Sequence, residues 1–307
     1  VRRRRSRSRD VAIAIALASL AAPAIARAQA CCAGATAFTP GRLGMREESL
    51  AGVLLRVTDL YGSFDGSGTF RRSPPGTAEV DLEQDLFATV RVLRNGQLSL
   101  LAPVVETYRR VPGQSGIGGG FGDLQAAARW DFTLAGASSR VPGIAALATL
   151  TLPTGVAPEE ATDPLATDST GTGAYQGAFG VSIEQMWGKL LLDVTGSATV
   201  HSARTVEGVH TQLGPAFNAF AAVAWAFDAG PVGAVTASYT GQLSTLTNGA
   251  AEPASGRRQL RLGVSAVYDL PGGFRLQGGV FFDPPIPHLG QNETTGAGLS
   301  ATLISVW

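Results

Sequence analysis

The stretch "GDLQAAARWDFTLAG", Gly122 to Gly136, alternates residue by residue. Leu124, Ala126, Ala128, Trp130, Phe132 and Leu134 share one parity; Asp123, Gln125, Arg129, Asp131 and Thr133 share the other. A period of two predicts a β-strand with one apolar and one polar face. Alternation alone leaves open whether the apolar face meets a protein core or lipid, so the rest of the chain has to decide.

Similar runs recur near 51–62, 81–93, 97–108, 121–134, 143–153, 174–187, 190–201, 212–227, 232–244, 259–270, 273–283 and 295–307, which makes about twelve strands. Most are twice as long as the roughly five or six residues of a soluble-protein strand. They match the roughly 9 to 11 residues that a tilted strand needs to cross a bilayer. The connections alternate too. Short links such as Arg94 to Gln97, Trp187 to Lys189, Asp228 to Pro231 and Leu270 to Gly273 take turns with long Gly/Pro/Thr/Asp-rich segments near 63–80, 109–120, 154–173, 202–211, 245–258 and 284–294. That rhythm predicts an all-β, up-and-down antiparallel transmembrane barrel with short periplasmic turns and long outer loops.

On this scheme Trp130, Trp187, Trp225 and Trp307 fall at the short-turn ends of their strands and form a membrane girdle. Tyr61, Tyr175, Phe217 and Phe282 are offered to the opposite rim. Leu124, Ala126, Ala128, Trp130, Phe132 and Leu134 then face lipid, and the polar parity faces a lumen. The wall must close on itself, because an unpaired edge in lipid leaves backbone groups unsatisfied at several kcal/mol each. The last strand, "GAGLSATLISVW", ends on an aromatic and resembles the signal by which outer-membrane barrels are recognised for insertion, which would make the assembly machinery a partner. Ser305 departs from the usual apolar choice.

Residues 1–30 combine an arginine-rich start, an apolar run too short for a comfortable membrane span and the small-x-small site Ala28-Gln29-Ala30, the pattern of a secretory signal peptide. Without them the 24 basic and 24 acidic groups become 17 against 23, net −6, with Lys189 the single lysine. Such a balance argues against nucleic acid as a partner. The only cysteines, Cys31 and Cys32, open the expected mature chain, where acylation competes with a plain flexible segment. Residues 31–47 are expected to be a periplasmic segment or plug, and 48–307 the barrel.

Lumen-lining candidates are the polar residues of the inward parity: Glu83, Asp85, Arg91, Asp123, Gln125, Arg129, Asp131, Glu184, Asp193, Arg261, Asp269 and Arg275. A channel lining and a structural salt-bridge network look alike at this level, since both satisfy buried charge by pairing or by water. No catalytic residue, metal ligand or cofactor is expected. His201, His210 and His288 sit at outer strand ends or loops, and no G-x-S-x-G elbow occurs. "GIGGGFGD" precedes a strand and not a helix, unlike a phosphate-binding loop. The acidic loop with Glu159, Glu160, Asp163 and Asp168 fits no EF-hand spacing.

The segments Gly122-Asp123, Leu152-Pro153-Thr154-Gly155 and Ser169-Thr170-Gly171-Thr172-Gly173 resemble the outer-membrane proteins grouped with meta-pathway phenol degradation. The resemblance implies a transport-type barrel of the Gram-negative outer membrane for small, apolar or aromatic molecules, with no catalytic residues to carry over. A sealed structural or surface-binding barrel and a lipid-modifying enzyme are the competing functions.

Overall fold

The computed structural model describes residues 41–136, 140–228 and 230–307. The expected signal peptide, Cys31 and Cys32 lie outside them. Twelve long strands build the wall: β1 Ser49–Phe64, β2 Ala78–Leu93, β3 Gly96–Val111, β4 Leu124–Thr133, β5 Gly143–Leu152, β6 Gln176–Trp187, β7 Leu190–His201, β8 Ala216–Ala226, β9 Val232–Gln242, β10 Arg257–Leu270, β11 Phe274–Phe282 and β12 Thr294–Val306. Each pairs antiparallel with the next. β12 returns to β1, paired from Leu50 opposite Val306 to Ser63 opposite Thr294 with one register shift between Leu60 and Gly62, so the ladder closes.

Exposure follows the two-residue period. Leu100, Phe132, Phe179, Val235 and Leu299 on the outer face are more than 60 % exposed, whereas the inward Thr89, Asp131, Ala145, Glu184, Val232 and Val267 are almost completely buried. An apolar surface of this extent, on strands of 9 to 16 residues, is stable only against hydrocarbon. The outward face is a lipid face, and the core is the lumen. All four tryptophans are exposed at the short-turn end: Trp130 opposite Gly96, Trp187 opposite Leu190, Trp225 between Leu190 and Gly233, and Trp307 just past β12. At the Trp187-to-Leu190 turn, Gly188 takes φ +59°, a left-handed conformation that glycine adopts without steric cost.

Three outer segments differ from the loops expected there. The stretch 109–120 is not a loop: β3 runs on to Val111, turns at Pro112 and Gly113, and returns as a strand Gln114–Phe121 paired with Val104–Val111. Its glycines mask it from any β-propensity argument, yet they serve packing. The loop 163–172 presses so close that a Cβ on Gly118 would lie 2.6 Å from Thr167 Oγ1. Segments 202–211 and 245–258 also pair, through Arg204–Val206, Val209–Gln212, Leu246–Thr247 and Ala250–Ala251, into a small four-stranded outer sheet.

Candidate functional site

The lumen has a closed floor and an open upper half. At the short-turn end the chain preceding β1 folds back into the barrel. It is tethered at the rim by the Glu48 and Ser49 amides, which donate to the Trp307 carbonyl at 2.8 and 3.1 Å. Leu43 is buried among Leu50, Leu54, Phe87 and Ile304, and its amide donates to Gln97 Oε1 at 3.0 Å. Thr89 Oγ1 donates to the Gly41 carbonyl at 3.0 Å. The Arg91 guanidinium holds the carbonyls of Gly44 and Glu47, and Arg275 pairs with the Glu47 carboxylate at 2.8 Å and with Asp269 at 2.8 Å.

Arg42 reaches across the floor. It pairs with Glu184 and lies 3.9 Å from Asp131, while Arg129 bridges the same two carboxylates at 2.9 Å each. Gln97 adds a hydrogen bond to Asp131, and Ser182 and Thr195 donate to Asp193. Among the described residues two arginines thus face three acids, with every side chain under 10 % exposed. Charges this dry persist only when paired and hydrogen-bonded, because the desolvation of each ion costs several kcal/mol. One of the two cations comes from the inserted segment, so the wall alone leaves its acids under-compensated.

Above the floor lies a cavity of about 500 Å³. Arg56 pairs with Glu83, Arg109 with Glu79 at 2.7 Å, and Arg261 with Asp283 at 2.8 Å while its guanidinium sits 4.4 Å from the Phe281 ring centre. Asp81 accepts from Thr107 Oγ1 at 2.9 Å. Asp85 is buried between Leu54 and Pro103 in register. Glu293, in the loop before β12, has its carboxyl pushed above the usual range by burial, with Arg257 opposing.

One side of this cavity is not made of strand. β5 stops at Leu152 opposite Leu124, and the edge of Gln114–Phe121 beyond it is covered by the loop 153–173. Asp123 joins the two. Its carboxylate accepts from the Gly155 amide at 3.0 Å and from the Thr172 amide and hydroxyl at 2.8 Å each. Thr154 and Thr170 donate to the Gly122 and Phe121 carbonyls at 2.8 and 2.7 Å. A Cβ on Gly171 would come within 2.5 Å of Asp123 Oδ1, so the glycine allows the approach. Three motifs far apart in sequence converge on this junction: Gly122-Asp123, Leu152 to Gly155 and Ser169 to Gly173.

Residues 58–300 match the family model described as "Putative MetA-pathway of phenol degradation". The chain belongs to this family. Among solved structures it is similar to an outer membrane channel from Pseudomonas putida F1, with TM-score 0.71 and 15 % identity over 85 % of this chain and 96 % of that one. It also resembles the translocator domain of the autotransporter NalP from Neisseria meningitidis, with TM-score 0.50 and 10 % identity over 97 % and 98 %. No curated protein matches. This family member is therefore an outer-membrane β-barrel by fold, with its four tryptophans at the short-turn end.

The lumen candidates separate by level. Arg91, Arg129, Asp131, Glu184, Asp193, Asp269 and Arg275 gather in or beside the floor; Glu83 and Arg261 line the cavity; Asp123 holds the junction; Asp85 and Gln125 lie between these levels. Sequence reasoning missed Arg42, Gln97, Arg56, Glu79, Asp81 and Arg109. The acidic alternation Glu79-Asp81-Glu83-Asp85 was available as a signal; it starts two residues before the strand was expected to begin. In the outer loop, Asp168 accepts from the Thr162 amide and hydroxyl, which holds its carboxyl below the usual range, and Glu159 pairs with Arg204.

Proposed function

We propose that this barrel is a passive, non-enzymatic conduit for small molecules of apolar or aromatic character, closed at rest by residues 41–47. One observation supports this most directly. The lower lumen is filled by a segment inserted from the rim, packed among the wall's own side chains, while the upper half holds a cavity. This segment is held by the ion pairs of Arg42 and Glu47, by hydrogen bonds and by one buried leucine, none of them part of a wall ladder, so it can leave without unfolding the wall. The Asp123 junction, held by side-chain hydrogen bonds in place of a strand ladder, is a second place where the cavity can open, toward lipid. The exposed aromatic end of β12 supports a role for the last strand in assembly, and residues 1–30 are assigned to export.

The test is single-channel recording of the refolded barrel in planar bilayers, alongside a form beginning at Glu48. Stable steps that grow after truncation are expected. Asp123→Asn, which keeps the shape but halves the acceptor capacity, is expected to add flickering from the junction. A folded, heat-modifiable barrel that is silent in both forms would favour a sealed structural barrel, the reading suggested by the buried, hydrogen-bonded floor charges.

A further inference from the structure

The outer face carries a notch that the conduit does not use. Phe217, Gly241 and Arg258 stand in register across β8, β9 and β10. Their parity is the lipid-facing one. Phe217 is eight residues above Trp225 on the same strand, so the three sit where the lipid face ends at the outer leaflet. Gly241 makes the notch: the Phe217 ring lies over it, in the space a Cβ would need. Tyr239 completes an aromatic floor, its ring 6.0 Å from that of Phe217. The resulting cavity of about 320 Å³ is lined by Arg257 and Arg258 and by no carboxylate.

The two arginines differ. Arg257 lies 3.7 Å from Glu293. Arg258 is exposed and makes no ion pair among the described residues, although its backbone is fixed by reciprocal hydrogen bonds to Gln291 at 2.9 Å. Ser244, also lining the notch, offers a hydroxyl with no hydrogen bond among the described residues. A planar guanidinium at the headgroup level, beside a hydroxyl and above an aromatic floor, suits a phosphate ester carried on an amphiphile. The aromatic rings take the boundary between headgroup and acyl chains, as aromatics do at membrane interfaces.

We propose that this notch binds the phosphorylated headgroup of an outer-leaflet lipid, with Arg258 as the phosphate ligand and Phe217 and Tyr239 packing against its apolar portion. The unpaired cation and the absence of acids favour an anion. The position on the lipid side of the wall, rather than in the lumen, favours a lipid over a soluble phosphate.

The experiment is titration of the refolded full-length barrel in detergent with a diphosphorylated glucosamine-disaccharide lipid and with its dephosphorylated counterpart, read by native mass spectrometry. Retained heat-modifiable migration checks that each variant is folded. Removing a charge-assisted hydrogen bond predicts that Arg258→Ala weakens binding of the phosphorylated probe about tenfold or more, with Arg258→Lys intermediate. Arg72→Ala, at another exposed arginine near the outer rim, is expected to bind as wild type does. Equal binding by wild type and Arg258→Ala would overturn the proposal, as would equal loss in Arg72→Ala or equal affinity for the two probes. Displacement by inorganic phosphate at equal concentration would overturn the lipid assignment.

Discussion

Replacing Arg42 by alanine isolates the contact on which closure depends. Arg42 is 8 % exposed, so its pairing with Glu184 and Asp131 is little screened. Its loss leaves Arg129 alone against Asp131, Glu184 and Asp193, three carboxylates each under 5 % exposed. Removing one partner of a buried pair costs about 3–5 kcal/mol, mostly because the other charge is left uncompensated. Here the cost falls on the docked state of residues 41–47, since undocking lets water reach the floor. At about 1.4 kcal/mol per tenfold, docking weakens roughly a hundred- to several-thousand-fold. The Leu43 amide, bonded to Gln97 Oε1, reports this directly, because its hydrogen exchange requires local opening. In Arg42→Ala its exchange is expected to accelerate by that factor, up to the limit at which the segment is mostly undocked. Amides in mid-wall β8 should keep wild-type protection. Unchanged Leu43 protection in a folded variant would refute the claim that Arg42 holds the floor shut.

Two further outcomes test the wall and an outer loop. Leu299, between Val57 and Val280 in register and 63 % exposed, lies mid-wall on the lipid face; Leu299→Arg should lower folding stability in bilayers by about 2–4 kcal/mol, measured by reversible denaturation. Asp65 is held at a pKa of about 2 by the Ser67 hydroxyl first and then the Thr69 and Ser67 amides. Its folded pKa is depressed, so the turn's extra stability is complete above the ordinary aspartate range near 3.9 and is lost as pH falls from about 4 through 2. Protection of the Ser67 and Thr69 amides should fade across that window, and Asp65→Asn should remove the dependence.

The barrel was legible because period-two alternation is a local property. Leu124 to Leu134 declares two faces wherever the chain goes, and once strand length selects lipid the orientation of Arg129 and Asp131 follows. Gln114–Phe121 was not legible: Gly116, Gly118, Gly119 and Gly120 read as a loop until the segment 163–172 is seen against them. The floor was half legible. The parity of Glu184 and Asp193 points inward, but nothing in the strands says that their counter-charge arrives from Arg42, outside the alternating part of the chain. Asp123 carried the same parity signal as its neighbours, yet its partners Gly155 and Thr172 are fixed by a loop conformation that no periodicity encodes.

The inserted segment docks on both ends of the chain at once. Leu43 rests on Leu50 and Leu54 of β1 and on Ile304 of β12, Glu47 is held by Arg275 of β11, and Glu48 is anchored to the Trp307 carbonyl. Part of its dock is therefore missing until the final strands meet the first. A barrel still open at its seam lacks the last side of the Leu43 pocket and the Glu47 and Glu48 anchors, so the stopper is fully seated only by the event that completes the wall.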